Sequence, residues 1–311
     1  MVVFFGSPDF AIPSLERLIN SKYKPSLVVT QPDRPAGRGK KPKPTPVRAT
    51  AEQHGLEVMI LERFKGSDAA ERIRALSPDF LLLVAFGLIL PESILEIAAR
   101  GNINLHASLL PAYRGASPVN GAIVNGDPFT GVSTMEMTAS LDAGPIYLQR
   151  IVPIDPMENA GSLSAKLAQE GAELLLRTLE RIDAGLLEPC AQPEDRVSLA
   201  PKLTKEDGNI QWEKDAVAVH NHIRGMNPWP GSFTLYGEIF IKILKAEPLD
   251  LMHRKIPPGQ IITAAGDELV VACGKGSVAV RRIQVQGKRP LDTGDFLRGF
   301  ALEEGSRFGS G

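Results

Sequence analysis

Short unbroken runs of apolar residues punctuate the first half of the chain. Val2 to Phe5 is one, Pro25 to Thr30 contains another, a third lies near Val58, and Phe80 to Ala85 is the most hydrophobic. A strand buried on both faces reads this way, because neither set of alternating side chains meets water. Between these runs, apolar positions recur at helical spacing over Phe10 to Ile19, Val47 to His54 and Ser67 to Leu76. Strand and helix therefore alternate, which predicts a mostly parallel sheet with covered faces and the Phe80 run near its centre.

The pattern continues with a strand over Asn102 to His106 and a helix over Ser117 to Val124. Gly131 to Thr138 and Ile146 to Ile154 read as two strands joined by a bend at Ala139 to Gly144. Ser162 to Asp183 is amphipathic, with Leu163, Leu167, Leu174, Leu175 and Ile182 as its apolar stripe and Gly185 as its stop. Leu186 to Glu206 has no period and carries Pro189, Pro193 and Pro201, as a connector does. Beyond it, short strands at close spacing with glycine turns predict a small β-barrel. The expected division is 1–185, a linker 186–206, and 207–311, with the tail from Gly305 frayed.

At 311 residues and 43% hydrophobic content, the chain can fill two cores. Its net charge of −1 excludes a globally basic nucleic-acid binder, so any RNA contact must come from a local patch. Cys190 and Cys273 form neither a metal-spaced pair nor a disulfide framework, which suits free thiols in a reducing cytoplasm. The first residues lack the basic segment of a secretory signal, and the longest apolar run, Phe80 to Leu90, is too short to span a bilayer. A soluble cytoplasmic protein without a membrane partner is the expectation.

Candidate chemistry gathers around Asn104 and His106. Two apart on a strand, they project from one face, and Pro111 breaks the ladder just beyond. A carboxylate, Asp142, follows in the bend Leu141-Asp142-Ala143-Gly144-Pro145. Amide, imidazole and carboxylate together suit acyl or formyl transfer to an amine. The amide is a neutral donor for an oxygen that gains charge. The imidazole exchanges protons near neutral pH. Each residue also has an ordinary structural reading: an asparagine satisfying its own turn, a hydrogen-bonded histidine, an Asx-turn aspartate. Spacing alone does not choose, and the chemical reading requires Asp142 to fold back beside His106.

Prolines and glycines from Gln31 to Thr45 exclude a helix or a central strand there. That loop carries Arg34, Arg38, Lys40, Lys41 and Lys43, with Arg48 just beyond, against the single acid Asp33. It reads either as a solvated loop or as an arm that follows phosphates. Gly6-Ser7-Pro8 lacks the glycine spacing of a dinucleotide turn. Arg114 is open between a surface and an anion-facing position. His220 and His222 are two apart in a helical stretch, so they do not share a face, and no metal site is expected. Asn227-Pro228-Trp229-Pro230-Gly231 reads as a rigid turn whose tryptophan packs rather than stacks on a base.

Together these motifs resemble the methionyl-tRNA formyltransferase family from Val3 to about Arg289. The most specific stretches are Gln31-Pro32-Asp33-Arg34-Pro35-Ala36-Gly37-Arg38-Gly39-Lys40, Ala200-Pro201-Lys202-Leu203-Thr204-Lys205-Glu206-Asp207-Gly208 and Arg224-Gly225-Met226-Asn227-Pro228-Trp229-Pro230-Gly231. The segment from Asn104 through Pro111 to Arg114-Gly115 is shared with formyltetrahydrofolate-using enzymes more widely. The resemblance implies an α/β Rossmann-like formyltransferase domain with a mostly parallel sheet, then a small all-β OB-like barrel. It implies formyl transfer from 10-formyltetrahydrofolate to the amino group of initiator methionyl-tRNA, without a metal, by a protein that is monomeric at the family level. Asn104, His106 and Asp142 fall on the family's catalytic positions. Ser108, Leu109, Leu110 and Pro111 fall on its folate-contact turn, and Arg38 to Lys43 lie in its tRNA-contact loop. Ser7 and Ala143 stand where threonine is common. The alternatives are a formyltransferase acting on an amino sugar or a glycinamide nucleotide, hydrolysis of the formyl donor, and a non-catalytic RNA-binding protein. The basic loop and the second domain exceed what a small acceptor needs.

Overall fold

The computed structural model describes residues 1–36, 41–251 and 256–309. The chain opens with β1 (Val2–Gly6), α1 (Ile12–Ile19), β2 (Leu27–Thr30), β3 (Arg34–Ala36), β4 (Lys41–Lys43), α2 (Pro46–Gln53) and β5 (Val58–Ile60). It continues through α3 (Ala69–Ala75), β6 (Phe80–Val84), α4 (Glu92–Leu95), β7 (Gly101–His106), β8 (Arg114–Gly115) and α5 (Pro118–Val124). Then come β9 (Phe129–Glu136), β10 (Ile146–Pro153), α6 (Ala160–Asp183) and β11 (Leu199–Ala200).

Seven strands form one sheet in the order β10-β9-β7-β6-β1-β2-β5. The five strands from β7 to β5 are parallel, and β9 and β10 are antiparallel additions at one edge. This is the mostly parallel sheet that the sequence predicts, with β6 inside it. Phe4, Phe5, Phe80, Leu81 and Leu82 are essentially inaccessible to solvent. Each such side chain contributes about 1.5–3 kcal/mol by leaving water.

The second half adds α7 (Ala216–Gly225), β12 (Phe233–Tyr236), β13 (Ile239–Leu249), β14 (Ile261–Ala265), β15 (Glu268–Ala272), β16 (Ser277–Val285), β17 (Leu291–Asp292) and α8 (Thr293–Gly299). The strands are antiparallel in the order β12-β13-β16-β15-β14, with β17 on β16. The expected barrel is thus a half-barrel: among the described residues no pairing joins β12 to β14. Register shifts between Ile243 and Ala246 bend β13, as bulges do. Two helices pack on this sheet: α7 lies on β13 and β16, and α8 on β14, β15, β16 and β17. Trp212, Phe296 and Phe308 fill this core. Phe308 stacks on Trp212 with centroids 5.9 Å apart, so the tail expected to fray is anchored at least through that residue.

The chain forms two compact units that are not separated by a single cut. One comprises Met1–Pro118, Phe129–Pro153 and Ser164–Ala200; the other Val119–Pro128, Ile154–Leu163 and Pro201–Gly311. Hydrogen bonds knit the early segments into the second unit. Asn120 Nδ2 donates to Gly225 O at 2.7 Å, and Gly161 N donates to Asn227 O at 3.2 Å. His220 lies with Nδ1 2.8 Å from Ala246 O and Nε2 3.0 Å from Pro156 O. The neighbouring His222 is buried, and burial pushes its pKa down. In the same unit burial lifts the Cys273 thiol to about 12, so it stays protonated at neutral pH. Trp229, expected to pack, is instead exposed. No helix among the described residues is long and apolar enough to cross a membrane.

Candidate formyl-transfer site

Strand periodicity sets the first two groups. Asn104 and His106 share one face of β7 and are both buried, while Leu105 points the other way. The bend after β9 folds back onto that face and brings Asp142 with it. Asn104 Nδ2 lies 3.4 Å from Asp142 Oδ1, and His106 Nδ1 lies 3.6 Å from the same oxygen. The imidazole and carboxylate side chains keep only 7% and 9% of their exposure. The Gly115 amide donates to the second carboxylate oxygen, Oδ2, at 2.9 Å. Amide, imidazole and carboxylate therefore converge, as the chemical reading requires.

The same geometry orients the imidazole. His106 Nε2 lies 2.9 Å from the Tyr113 carbonyl oxygen. A carbonyl only accepts, so Nε2 carries the hydrogen and Nδ1 is the nitrogen turned toward the carboxylate. Two residues pay a conformational cost to build this arrangement. Tyr113 at φ 61° and Asp142 at φ 51° both occupy the left-handed region, worth about 1–2 kcal/mol of strain each. Gly115 is required for closeness as well as for its own φ of 120°: a Cβ there would sit 2.5 Å from Ala200 O. The Tyr147 hydroxyl, on β10, is raised to about 12 by burial and then by Glu136, so it stays protonated near neutral pH.

The turn after β7 is held from beneath. Ser133 Oγ donates to Ser108 O at 2.6 Å and accepts from Leu110 N at 3.1 Å. Gln149 Nε2 donates to Leu110 O at 2.9 Å. Ser108 is buried and its hydroxyl donates to Ala112 O at 2.6 Å. Leu110 and Pro111 are buried too, and Leu109 alone of the four keeps a half-exposed side chain. The Ser108 hydroxyl is thus already committed to a bond within the turn.

The neck of the cationic loop is also built. Thr30 and Thr45 hydroxyls meet at 2.7 Å, Thr45 Oγ1 caps α2 by accepting Arg48 N at 3.1 Å, and Ser7 Oγ accepts Gln31 N at 3.2 Å. Arg48 is committed to Asp33 at 2.9 Å and to Glu52 at 2.7 Å, which raise its pKa, Glu52 foremost. Between these anchors β3 and β4 pair antiparallel, Arg34 opposite Lys43 and Ala36 opposite Lys41, so the segment read as loop includes a short hairpin. Lys43 is exposed. Arg38 and Lys40 lie outside the described residues.

Arg114, open in the sequence between a surface and an anion-facing position, is 9% exposed and bonds Gln192, a buried group beside the bend that the sequence does not mark. Gln192 itself lies in the stretch read as a connector, where no periodicity or motif marks it.

The family model described as "Formyl transferase" matches residues 1–179, and "Formyl transferase, C-terminal domain" matches 202–301. The chain is 44% identical over 308 residues to a methionyl-tRNA formyltransferase of Citrifermentans bemidjiense, covering 99% of this chain and 96% of that protein. Among solved structures, an N-formyltransferase from Helicobacter canadensis with folinic acid and dTDP-3-aminofucose superposes with a TM-score of 0.67 at 19% identity, over 90% of this chain and 98% of that one. A methionyl-tRNA formyltransferase from Clostridium thermocellum gives a TM-score of 0.55 at 15% identity, over 79% and 92% respectively. Both structural likenesses speak to the fold.

Proposed function

Since this chain belongs to the methionyl-tRNA formyltransferase family, we propose that it transfers the formyl group of 10-formyltetrahydrofolate to the α-amino group of initiator methionyl-tRNA, with Asn104, His106 and Asp142 as the reacting set. The observation that carries the assignment of residues is the approach of Asp142 Oδ1 to both Asn104 Nδ2 and His106 Nδ1. The folate supplies the formyl carbon, and the turn Ser108-Leu109-Leu110-Pro111 holds it.

A free α-amine titrates at about 7.7–8.0, and an ester on the same carbon lowers that value, so much of the substrate amine is uncharged at neutral pH. A mild base is enough. Asn104 offers its remaining N–H to the formyl oxygen as that oxygen gains charge. Asp142 accepts the ammonium proton, directly or through water. His106 Nδ1, beside that carboxylate, relays a proton to the departing folate N10. The amine nitrogen bonds to the formyl carbon, the C–N10 bond breaks as the oxyanion collapses, and its electron pair stays on N10, which takes up that proton.

The C-terminal part, 207–311, and the loop cations Arg34, Arg38, Lys40, Lys41 and Lys43 are assigned to the tRNA. We place the protein in the cytoplasm as a monomer. The test of function is transfer of labelled formyl to charged initiator tRNA, with elongator methionyl-tRNA as control. Transfer to the initiator above the elongator supports the reading, and formate release without transfer refutes it. Neutralising Arg38, Lys40, Lys41 and Lys43 together is expected to reduce the slope of log Kd against log salt by about 3, since each phosphate contact adds about 0.7–0.9. An unchanged slope in filter binding removes the loop from the tRNA interface.

A further inference from the structure

Residues 180–201 fall between the two family-model matches, 1–179 and 202–301, yet part of this stretch is stitched to both arms of the site. On one side Cys190 and Ile146 exchange backbone hydrogen bonds of 2.8 Å just past the Asp142 bend. On the other, Ser198 Oγ accepts Tyr113 N at 2.9 Å, and β11 pairs in parallel with β8.

Gln192 lies between these seams and is 7% exposed. Its Nε2 donates to the Asp142 carbonyl at 2.9 Å and to the Gly144 carbonyl at 2.7 Å. Its Oε1 accepts Arg114 Nε at 3.0 Å and Nη2 at 2.9 Å. Both N–H donors and both lone pairs of the carboxamide are used. The next residue after Arg114 is Gly115, whose amide binds the Asp142 carboxylate. One buried amide thus ties the backbone of Asp142 to the segment that receives its side chain.

We propose that Gln192 is a positioning residue for formyl transfer: it clamps the Asp142 backbone in its left-handed conformation and so aims the carboxylate at Asn104, His106 and Gly115. The proposal rests on the reading of Asp142 as a reacting group. No other residue type of this size serves. A glutamate would turn lone pairs toward two carbonyl oxygens, a lysine has no acceptor for Arg114, and a leucine would leave the Asp142 and Gly144 carbonyls and Arg114 Nε without the amide, with Arg114 Nη2 keeping only Glu194.

The test compares Gln192→Glu and Gln192→Ala in the otherwise intact enzyme and in an Asp142→Asn background. In the intact enzyme, kcat is expected to fall about 10–100-fold, the scale of a 1 Å misplacement, with KM for tRNA and folate within about twofold. In the Asp142→Asn background the same substitution should add less than about twofold, because a residue acting only through Asp142 has nothing left to position. Hydrogen exchange at the Gly115 amide should accelerate in Gln192→Glu, a readout independent of activity that also serves if the alanine variant does not fold. Full loss in the Asp142→Asn background, unchanged kcat, or undiminished Gly115 protection would each overturn the clamp. Wild-type turnover of Asp142→Asn by itself would instead bring down the underlying reading of Asp142, and the clamp with it.

Discussion

Replacing Asp142 by asparagine is expected to lower kcat for formyl transfer by about 10²–10⁴-fold, the range spanned by a positioned acid or base, with tRNA affinity within about twofold. The carboxylate presents acceptors in both directions, one oxygen toward Asn104 and His106 and the other toward the Gly115 amide. An amide of the same shape has one acceptor oxygen. If that oxygen stays on Gly115, the amide nitrogen faces the Asn104 Nδ2 donor; if it turns to Asn104, it leaves Gly115 opposite another donor. Either way the negative charge that receives the ammonium proton is gone. Filter binding and steady-state kinetics on one preparation separate the two effects. A variant that loses tRNA binding in step with turnover would show that Asp142 shapes the binding surface rather than the reaction.

Gly144→Ala is the second large effect expected. A Cβ at this position would lie 1.9 Å from the Glu136 carbonyl oxygen. That carbonyl belongs to β9, the strand that sets the register of β7 and β10, so it cannot yield cheaply. The bend must shift, and with it Asp142 two residues earlier. Overpacking of this kind costs about 1–3 kcal/mol, or a fall in Tm of about 2–5 °C at this chain length. Turnover should fall well beyond that modest loss of stability at temperatures where the variant is fully folded. Wild-type turnover in a folded variant would mean that the bend tolerates displacement and that Asp142 is not held to a narrow geometry.

The legible parts of this molecule were those encoded in local period. Alternation along β7 placed Asn104 and His106 on one face, and continuous apolar runs marked the parallel strands. The convergence with Asp142 depends on tertiary folding, since an aspartate before a small residue and a glycine reads equally well as a plain turn. Gln192 is illegible because its value lies entirely in three residues distant in sequence, Arg114, Asp142 and Gly144, and its own neighbourhood shows no period or motif. Arg114 was ambiguous for the same reason: a cation's burial depends on what waits for it. At the other end, glycines and polar residues around Phe308 suggested a frayed tail, while the Trp212 ring that captures it lies far upstream. The exposure of Trp229 likewise could not be read from a proline-rich turn, because rigidity does not say which way a ring points.

The most direct measurement is the single-turnover rate of formyl transfer to charged initiator tRNA, at saturating substrates, for His106→Ala, Asp142→Asn and the pair combined. Groups that serve one proton path as a unit lose most of their effect with the first removal. The double variant should therefore be slower than the worse single variant by no more than about tenfold. A loss equal to the product of the two single losses would show the imidazole and the carboxylate working independently, contrary to the site described.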